Sequence, residues 1–190
     1  MKLHRKLVLA SKSPRRKELL SLITNDFEVR SKEVNEYLDP DNLEDSIKEL
    51  AYLKAAVIFD KESDEIVIAS DTIVVCDNIL YGKPKDYGDA FQMIKTLSNR
   101  SHKVITAVCI LSKERKIVFN SKSKVFVNKI EDDEIKEYLA TRDAYDKAGA
   151  YGIQGEFSKF IDHIEGDYYS IMGLPVSKVY KKLKEFEDFQ

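Results

Sequence analysis

The sequence contains no tryptophan, only two cysteines, and few glycines and prolines (seven and four among 190 residues). Two cysteines are too few for a disulfide framework, and a zinc site would need more ligands than they supply. Cys76 and Cys109 each lie inside an apolar run, so we expect both to be buried free thiols. The scarcity of glycine and proline argues against long disordered linkers.

The sequence also lacks a long apolar run and an excess of either charge. A membrane-spanning helix needs about 18 or more consecutive apolar residues, and no segment approaches that length. The basic residues at the start precede a very short apolar segment, which predicts a strand rather than a signal peptide. With 31 basic and 33 acidic side chains, nothing draws the whole chain to nucleic acid or to a membrane. We therefore expect a cytoplasmic protein with a single domain over residues 1–190.

What the sequence does contain is an alternation of helical and strand-like segments. Helices are predicted at 14–22, 43–59, 86–97, 131–141 and 176–186. Strands are predicted at 7–10, 27–30, 65–75, 102–111 and 116–128, the last two as a hairpin. The segment 65–75 is either one strand or two strands around Ser70 and Asp71, and 142–175 is predicted to be irregular. This mixture predicts an α/β fold with a mixed sheet.

The segment "LASKSPRRKEL" (9–19) places cations at an unfavourable end of a helix. Ser13 is the predicted N-cap and Pro14 the first helical residue. Arg15 and Arg16 follow in the first turn, where the partial positive charge of the helix favours anions. One interpretation is a solvated basic patch. The other is a phosphate site, because free backbone N–H groups, the helix dipole and guanidinium groups would all bind a phosphate.

Two charged residues interrupt apolar patterns. Lys54 lies on the apolar stripe of its helix, so it is either a lysine whose ammonium reaches solvent or a cation held for function. Asp71 lies between two β-branched runs, so it either marks a turn or is a carboxylate placed for general-base chemistry or metal binding. Asp71 and Glu33 could hold a divalent metal through oxygen ligands.

Two glycine-containing segments carry further candidates: "GKPKD" (82–86) and "DKAGAYGIQG" (146–155). Each is common in ordinary loops, and the first lacks the spacing of a P-loop. Gln154 could pair with the edge of a base through its amide. Lys83 would complete a set of cations that could hold a triphosphate, together with Arg15, Arg16 and Lys54.

The chain resembles the Maf nucleotide pyrophosphatases over nearly its whole length. The motifs that carry the resemblance follow one another in order: "LASKSPRRKELL", "SDTIVV", "YGKP", "HKVITAV", "DKAGAYGIQG" and "GDYYSIMGLP". The resemblance implies an ITPase-like fold, a mixed twisted sheet flanked by helices with two lobes around a central cleft. It also implies a homodimer that hydrolyses nucleoside triphosphates to a monophosphate and pyrophosphate, using a divalent cation, Mg²⁺ or Mn²⁺.

The resemblance further implies roles for individual residues. Asp71 matches the catalytic proton acceptor, and Lys54 and Lys83 are expected to take part in the chemistry. Asp71 and Glu33 are expected to hold the metal. The remaining matched positions are expected to bind the substrate: Ser13, Arg15, Arg16, Thr72 and Gln154.

Three of these positions bear on the nucleotide base. Arg15, Thr72 and Gln154 match the branch of the family that prefers dTTP and UTP. Two alternatives stay open, a preference for 7-methyl-GTP and a role as a nucleotide-binding regulator of septum formation. The chain departs mildly from the family pattern, with Ser70 where alanine is usual and without the usual Glu-Pro ahead of Asp146.

Overall fold

The computed structural model describes residues 5–186. Its strands are β1 (Lys6–Ala10), β2 (Glu28–Arg30), β3 (Glu65–Cys76), β4 (Ile79–Tyr81), β5 (Ser101–Leu111), β6 (Lys116–Val127) and β7 (Ile161–Glu165). Its helices are α1 (Pro14–Ser21), α2 (Leu43–Ala56), α3 (Tyr87–Leu97), α4 (Asp132–Ala140), α5 (Tyr168–Met172) and α6 (Val176–Leu183). Short 3-10 helices lie at Ala148–Ala150 and Glu156–Phe160. Every helix and strand predicted from the sequence is confirmed, with small shifts at the ends.

The strands form one mixed seven-stranded sheet in the order β2-β1-β3-β5-β6-β7, with β4 paired to β3. β1 lies parallel to both of its neighbours, and Val8 is opposite Glu28 on one side and Val67 on the other. β4 is antiparallel to β3, and β7 is antiparallel to β6. A short turn joins β5 to β6, in which the Ser112 N–H donates to the Arg115 carbonyl at 2.8 Å. The predicted mixed sheet and hairpin are therefore confirmed.

The helices flank the sheet and bury one apolar face each. The regular spacing of the apolar residues on these faces is visible in the sequence. Burying one large aliphatic side chain contributes about 1.5–3 kcal/mol, so these faces dominate the stability of the packing. Buried residues recur every three or four positions: Ile47, Leu50, Ala51 and Ala55 in α2, Ala90, Ile94 and Leu97 in α3, and Ile135, Tyr138 and Leu139 in α4.

β3 is one continuous strand, which decides between the two interpretations of its sequence. Its twelve residues are buried except for Asp71 and Thr72, which are half-buried. Asp71 therefore does not mark a turn. It is a carboxylate in the middle of a buried strand, where an uncompensated charge is costly and a cationic partner is expected.

The prediction that 142–175 is irregular is wrong in part. Ile161–Glu165 forms β7, which pairs with β6 across a bulge between Phe126 and Val127. β7 is short and mostly polar, so its own sequence carries little strand signal, and the pairing with β6 makes it a strand. β4 is also absent from the predicted strands, because Ile79–Tyr81 is only three residues long and shows no alternation.

The described chain divides into two compact units. Unit 1 comprises residues up to Asp71 together with Thr106–Ser121 and the segment from Gly173 onward. Unit 2 comprises Thr72–Ile105 and Lys122–Met172. Three of the four boundaries fall inside β3, β5 and β6, and the fourth follows α5, so each unit contains several segments of the chain that are distant in sequence.

Candidate active site

In unit 1, α1 begins directly after the end of β1, and Ser13 caps it. The Ser13 hydroxyl accepts from the Arg16 N–H at 3.5 Å, and the Ser13 N–H donates to the buried Ser11 hydroxyl at 3.1 Å. Pro14 occupies the first helical position, and no acidic residue lies in the first turn. Arg15 and Arg16 are both half-buried there. The predicted cap is confirmed, and the two arginines are not on a fully solvated surface.

Asp71 lies close to this helix because β1 and β3 are parallel and paired in register. Leu9 is opposite Ile68, so the chain leaves β1 just where β3 continues to Asp71. Arg16 Nη2 lies 3.5 Å from Asp71 Oδ1. The first turn of α1 and the carboxylate in β3 thus meet through strand pairing, although they are distant in sequence.

Arg16 is fixed in this position by a second contact. Its Nε donates to the carbonyl of Gly173 at 3.2 Å, and the buried Ser70 hydroxyl donates to the same carbonyl at 2.9 Å. Gly173 has a φ of 117°, a conformation that side chains rarely adopt. Burial lowers the pKa of Arg16, while the carboxylate of Asp71 acts in the opposite direction. An arginine nevertheless stays charged at neutral pH, so Arg16 compensates Asp71.

Lys54 supplies the second cation at Asp71. Its Nζ donates to Asp71 Oδ2 at 2.8 Å, and both side chains are only 16% exposed. Lys54 therefore does not extend to solvent from the edge of the apolar stripe. It turns toward the carboxylate, as the functional interpretation of this lysine requires. Asp71 is held between a guanidinium and an ammonium, which offsets the cost of placing a carboxylate in a buried strand.

The structure adds Glu36, which the sequence analysis missed. Glu36 Oε1 lies 2.7 Å from Lys54 Nζ, so Glu36 and Asp71 share one ammonium, while the Glu36 side chain stays 62% exposed. Glu33, the residue predicted from the sequence, is 93% exposed and lies 3.4 Å from Lys12. Both glutamates belong to one acidic loop ahead of α2, and no local pattern distinguishes them.

These carboxylates suit a divalent ion in part. Magnesium is commonly held by one or two carboxylates, with substrate phosphates and water as the remaining ligands. Asp71 and Glu36 already converge on one positive charge, and each offers oxygen ligands. Within residues 5–186, no group of three or more histidine, cysteine, aspartate or glutamate side chains forms a complete metal cage. The donor set fits a metal that arrives with its substrate better than a structural ion.

Unit 2 holds the other predicted residues, Thr72, Lys83 and Gln154. The turn before Lys83 is tied to the glycine-rich segment, because the Gly149 N–H donates to the Gly82 carbonyl at 3.0 Å. Gly149 has a φ of 71°, and a Cβ there would lie 3.1 Å from a Val74 methyl group. Only glycine fits this position without strain. Lys83 and Gln154 are both exposed, as groups that contact a ligand must be before it binds.

Comparison with known proteins identifies the family. The family model described as "Maf-like protein" matches residues 6–186. The chain belongs to the Maf family. A Bacillus cytotoxicus Maf relative named dTTP/UTP pyrophosphatase is 42% identical over 187 residues, which cover 96% of each chain. A Bacillus mycoides protein of the same name is 41% identical over the same coverage.

The fold of this Maf protein is also found in a solved structure. The Staphylococcus aureus Ham1 protein matches 95% of this chain and 99% of its own, with a TM-score of 0.54 and 15% sequence identity. At that identity the likeness concerns the fold alone, and it agrees with the mixed α/β architecture predicted here. Each helix within residues 5–186 is too short or too polar to span a lipid bilayer.

Proposed function

We propose that this chain hydrolyses dTTP and UTP to the monophosphate and pyrophosphate. The observation that carries the proposal is the carboxylate of Asp71, held between Arg16 and Lys54 beside the N-terminus of α1. The names of the relatives, at about 42% identity over nearly the whole chain, support the same reaction and the same bases.

In the proposed reaction Asp71 accepts a proton from a water molecule as that water attacks the α-phosphorus. A new P–O bond forms at the α-phosphorus, the bond to the bridging oxygen of the β-phosphate breaks, and pyrophosphate leaves. Arg16 orients the carboxylate, because it contacts both Asp71 and the Gly173 carbonyl. Such preorganised charge is the largest contribution in many enzymes that transfer phosphoryl groups.

The phosphates would be bound by the groups that the sequence singled out. The partial positive charge at the start of α1 favours an anion, and Arg15 adds a guanidinium there. We assign Ser13, Lys54 and Lys83 to the same task. When bound, Mg²⁺ or Mn²⁺ would neutralise charge on the phosphates. Asp71 would hold this ion together with Glu36, which the geometry favours over Glu33.

We assign binding of the nucleotide base to unit 2. A glutamine amide offers N–H donors beside a carbonyl acceptor, which match the edge of uracil or thymine, so we propose that Gln154 binds the base, with Thr72 and Arg15 as further determinants. A single domain and a cytoplasmic location, expected from the composition, and a homodimer, expected from the resemblance, belong to the same proposal.

A pyrophosphate-release assay tests the proposal. The substrates are dTTP, UTP, CTP, GTP, 7-methyl-GTP and ITP with Mg²⁺ or Mn²⁺, each with wild-type protein and with Asp71→Asn. We expect turnover of dTTP and UTP that the variant loses. Activity centred on a purine would keep the chemistry and overturn the roles of Arg15, Thr72 and Gln154. Folded protein that hydrolyses none of the substrates would contradict the proposed function.

A further inference from the structure

Unit 2 contains a second ion-pair cluster, in which the lysine, Lys147, is largely buried while Asp143 and Asp146 are 37% and 64% exposed. Its Nζ donates to the Asp143 carbonyl at 2.6 Å, to Asp143 Oδ1 at 2.7 Å and to Asp146 Oδ1 at 2.6 Å. The Lys147 side chain is only 12% exposed. An ammonium has three donors, and each has an acceptor here, so the group has no donor left for a ligand. Its position indicates a role in holding structure rather than in binding phosphate.

The structure that it holds is the segment that carries Gln154. A Cβ on Gly152 would lie 3.0 Å from Lys147 Cε and 3.1 Å from the Gln154 carbonyl, so the backbone of Gly152 lies between the lysine stem and the Gln154 carbonyl. On the other side, a Cβ on Gly155 would lie 3.3 Å from Asp143 Oδ2. Gln154 is thus flanked by two glycines, and each glycine packs on one member of the Lys147–Asp143 pair.

We propose that Lys147, with Asp143, is a positioning residue that sets the base specificity of this enzyme through the backbone of Gln154. This inference rests on the proposed function of Gln154. A partly buried ion pair with three short contacts resists displacement, and the two glycines that pack on it lie on either side of the exposed Gln154. Displacing a binding group by about 1 Å can cost as much as 10²-fold in rate, so small movements of this loop would alter selectivity.

The test compares Lys147→Met and Asp143→Asn with a matched pair on the surface of the same unit. Lys136 and Asp133 also form a close lysine–aspartate pair at 2.7 Å, but both are well exposed on α4. The readout is the ratio of kcat/KM for UTP to that for CTP. We expect Lys147→Met and Asp143→Asn to lower the ratio about tenfold, as Gln154→Glu should, because the amide is no longer held against the base edge. Lys136→Met, Asp133→Asn and the carboxylate-retaining Asp143→Glu should keep the ratio within about twofold of wild type, because exposed pairs contribute little.

A second measurement does not depend on activity. Hydrogen exchange of the backbone amides at 152–155 should become faster in Lys147→Met and stay unchanged in Lys136→Met, and thermal melts should show that both variants are folded. An active wild-type protein whose base selectivity and amide protection survive Lys147→Met would overturn the positioning role. A folded wild-type protein that hydrolyses no triphosphate would instead overturn the proposed function, and the specificity role with it.

Discussion

Lys54 and Lys147 are buried to a similar extent and both contact carboxylates, yet their partners come from different parts of the chain. The side chains are 16% and 12% exposed, and each ammonium contacts two carboxylates. The partners of Lys54 come from a loop and from β3, far away in sequence. The partners of Lys147 come from the four residues that precede it. One lysine joins separate segments of unit 1, and the other closes a local turn in unit 2.

The difference matters for what each lysine can do. Each lysine has one well-exposed partner, because Glu36 is 62% exposed and Asp146 is 64% exposed. Glu36 comes from a separate loop, so a phosphate or metal can displace it from Lys54 without opening a local turn. Lys147 has all three donors occupied inside one turn. An exchangeable ion pair suits a group that meets charge during a reaction, whereas a saturated pair suits a fixed support. Variants that separate rate from selectivity test this comparison.

Asp71→Asn should have the largest effect. The amide keeps the shape of the side chain but cannot accept the proton, and it no longer compensates Arg16 and Lys54. We expect turnover of every nucleotide to fall by at least about 10³-fold, the upper range for removing one catalytic charge contact. Pyrophosphate release measures the loss. A folded variant with turnover close to that of wild type would remove Asp71 from the mechanism.

Lys54→Met should come next, and its effect should differ in kind from that of Lys147→Met. Removing the ammonium leaves Asp71 and Glu36 without their shared partner, so we expect kcat to fall about 10²-fold for all bases alike. The ratio of UTP to CTP turnover should not change. The comparison between the two lysines fails if Lys54→Met alters base selectivity, or if Lys147→Met lowers all rates equally.

Low pH should destabilise the segment that packs on Lys147. His102 is buried, and its Nε2 shares a hydrogen bond of 2.6 Å with the hydroxyl of Tyr151, the residue before Gly152. Burial lowers the pKa of His102 to about 4. Between pH 6.5 and 4 the unfolded chain therefore binds a proton that the folded chain excludes. The free energy of unfolding should fall as the pH is lowered through this range, by about 3 kcal/mol in total.

Urea unfolding at pH 7, 5.5 and 4.5 measures this change, with His102→Gln as the comparison because it cannot gain the proton. Wild type should lose more stability than the variant over this range, and amides at 151–155 should lose protection early. Equal losses of stability in the two proteins would show that protonation of His102 does not destabilise this segment.

The smallest expected effect is on the Mg²⁺ dependence of activity, and it distinguishes Glu36 from Glu33 in the acidic loop. Glu36→Gln should raise the Mg²⁺ concentration needed for half-maximal activity about tenfold, because Glu36 shares Lys54 with Asp71. Glu33→Gln is the matched variant, and it should change the same quantity less than about twofold, as expected for an exposed pair. A larger effect at Glu33 would favour the assignment made from the sequence.

Sequence periodicity was enough for most of the fold and for part of the site. β-branched and apolar runs predicted the long strands β3, β5 and β6, and the three-to-four spacing of apolar residues predicted α2 and α3. The cap at Ser13 also followed from residue types alone, because a hydroxyl ahead of a proline is a local signal. β4 and β7 were missed because they are strands through their pairing partners.

Residue types and their spacing were sufficient for the features that depend on neighbouring residues. These features include the helices, the longer strands, the α1 cap with its arginines, and a glycine-rich segment with Gln154. Tertiary structure alone decided that Asp71 lies in a continuous strand, that Arg16 and Lys54 both contact it, and that Glu36 rather than Glu33 shares Lys54. Strand register and helix docking bring distant charges within a few ångströms, and no local pattern of residues encodes that distance.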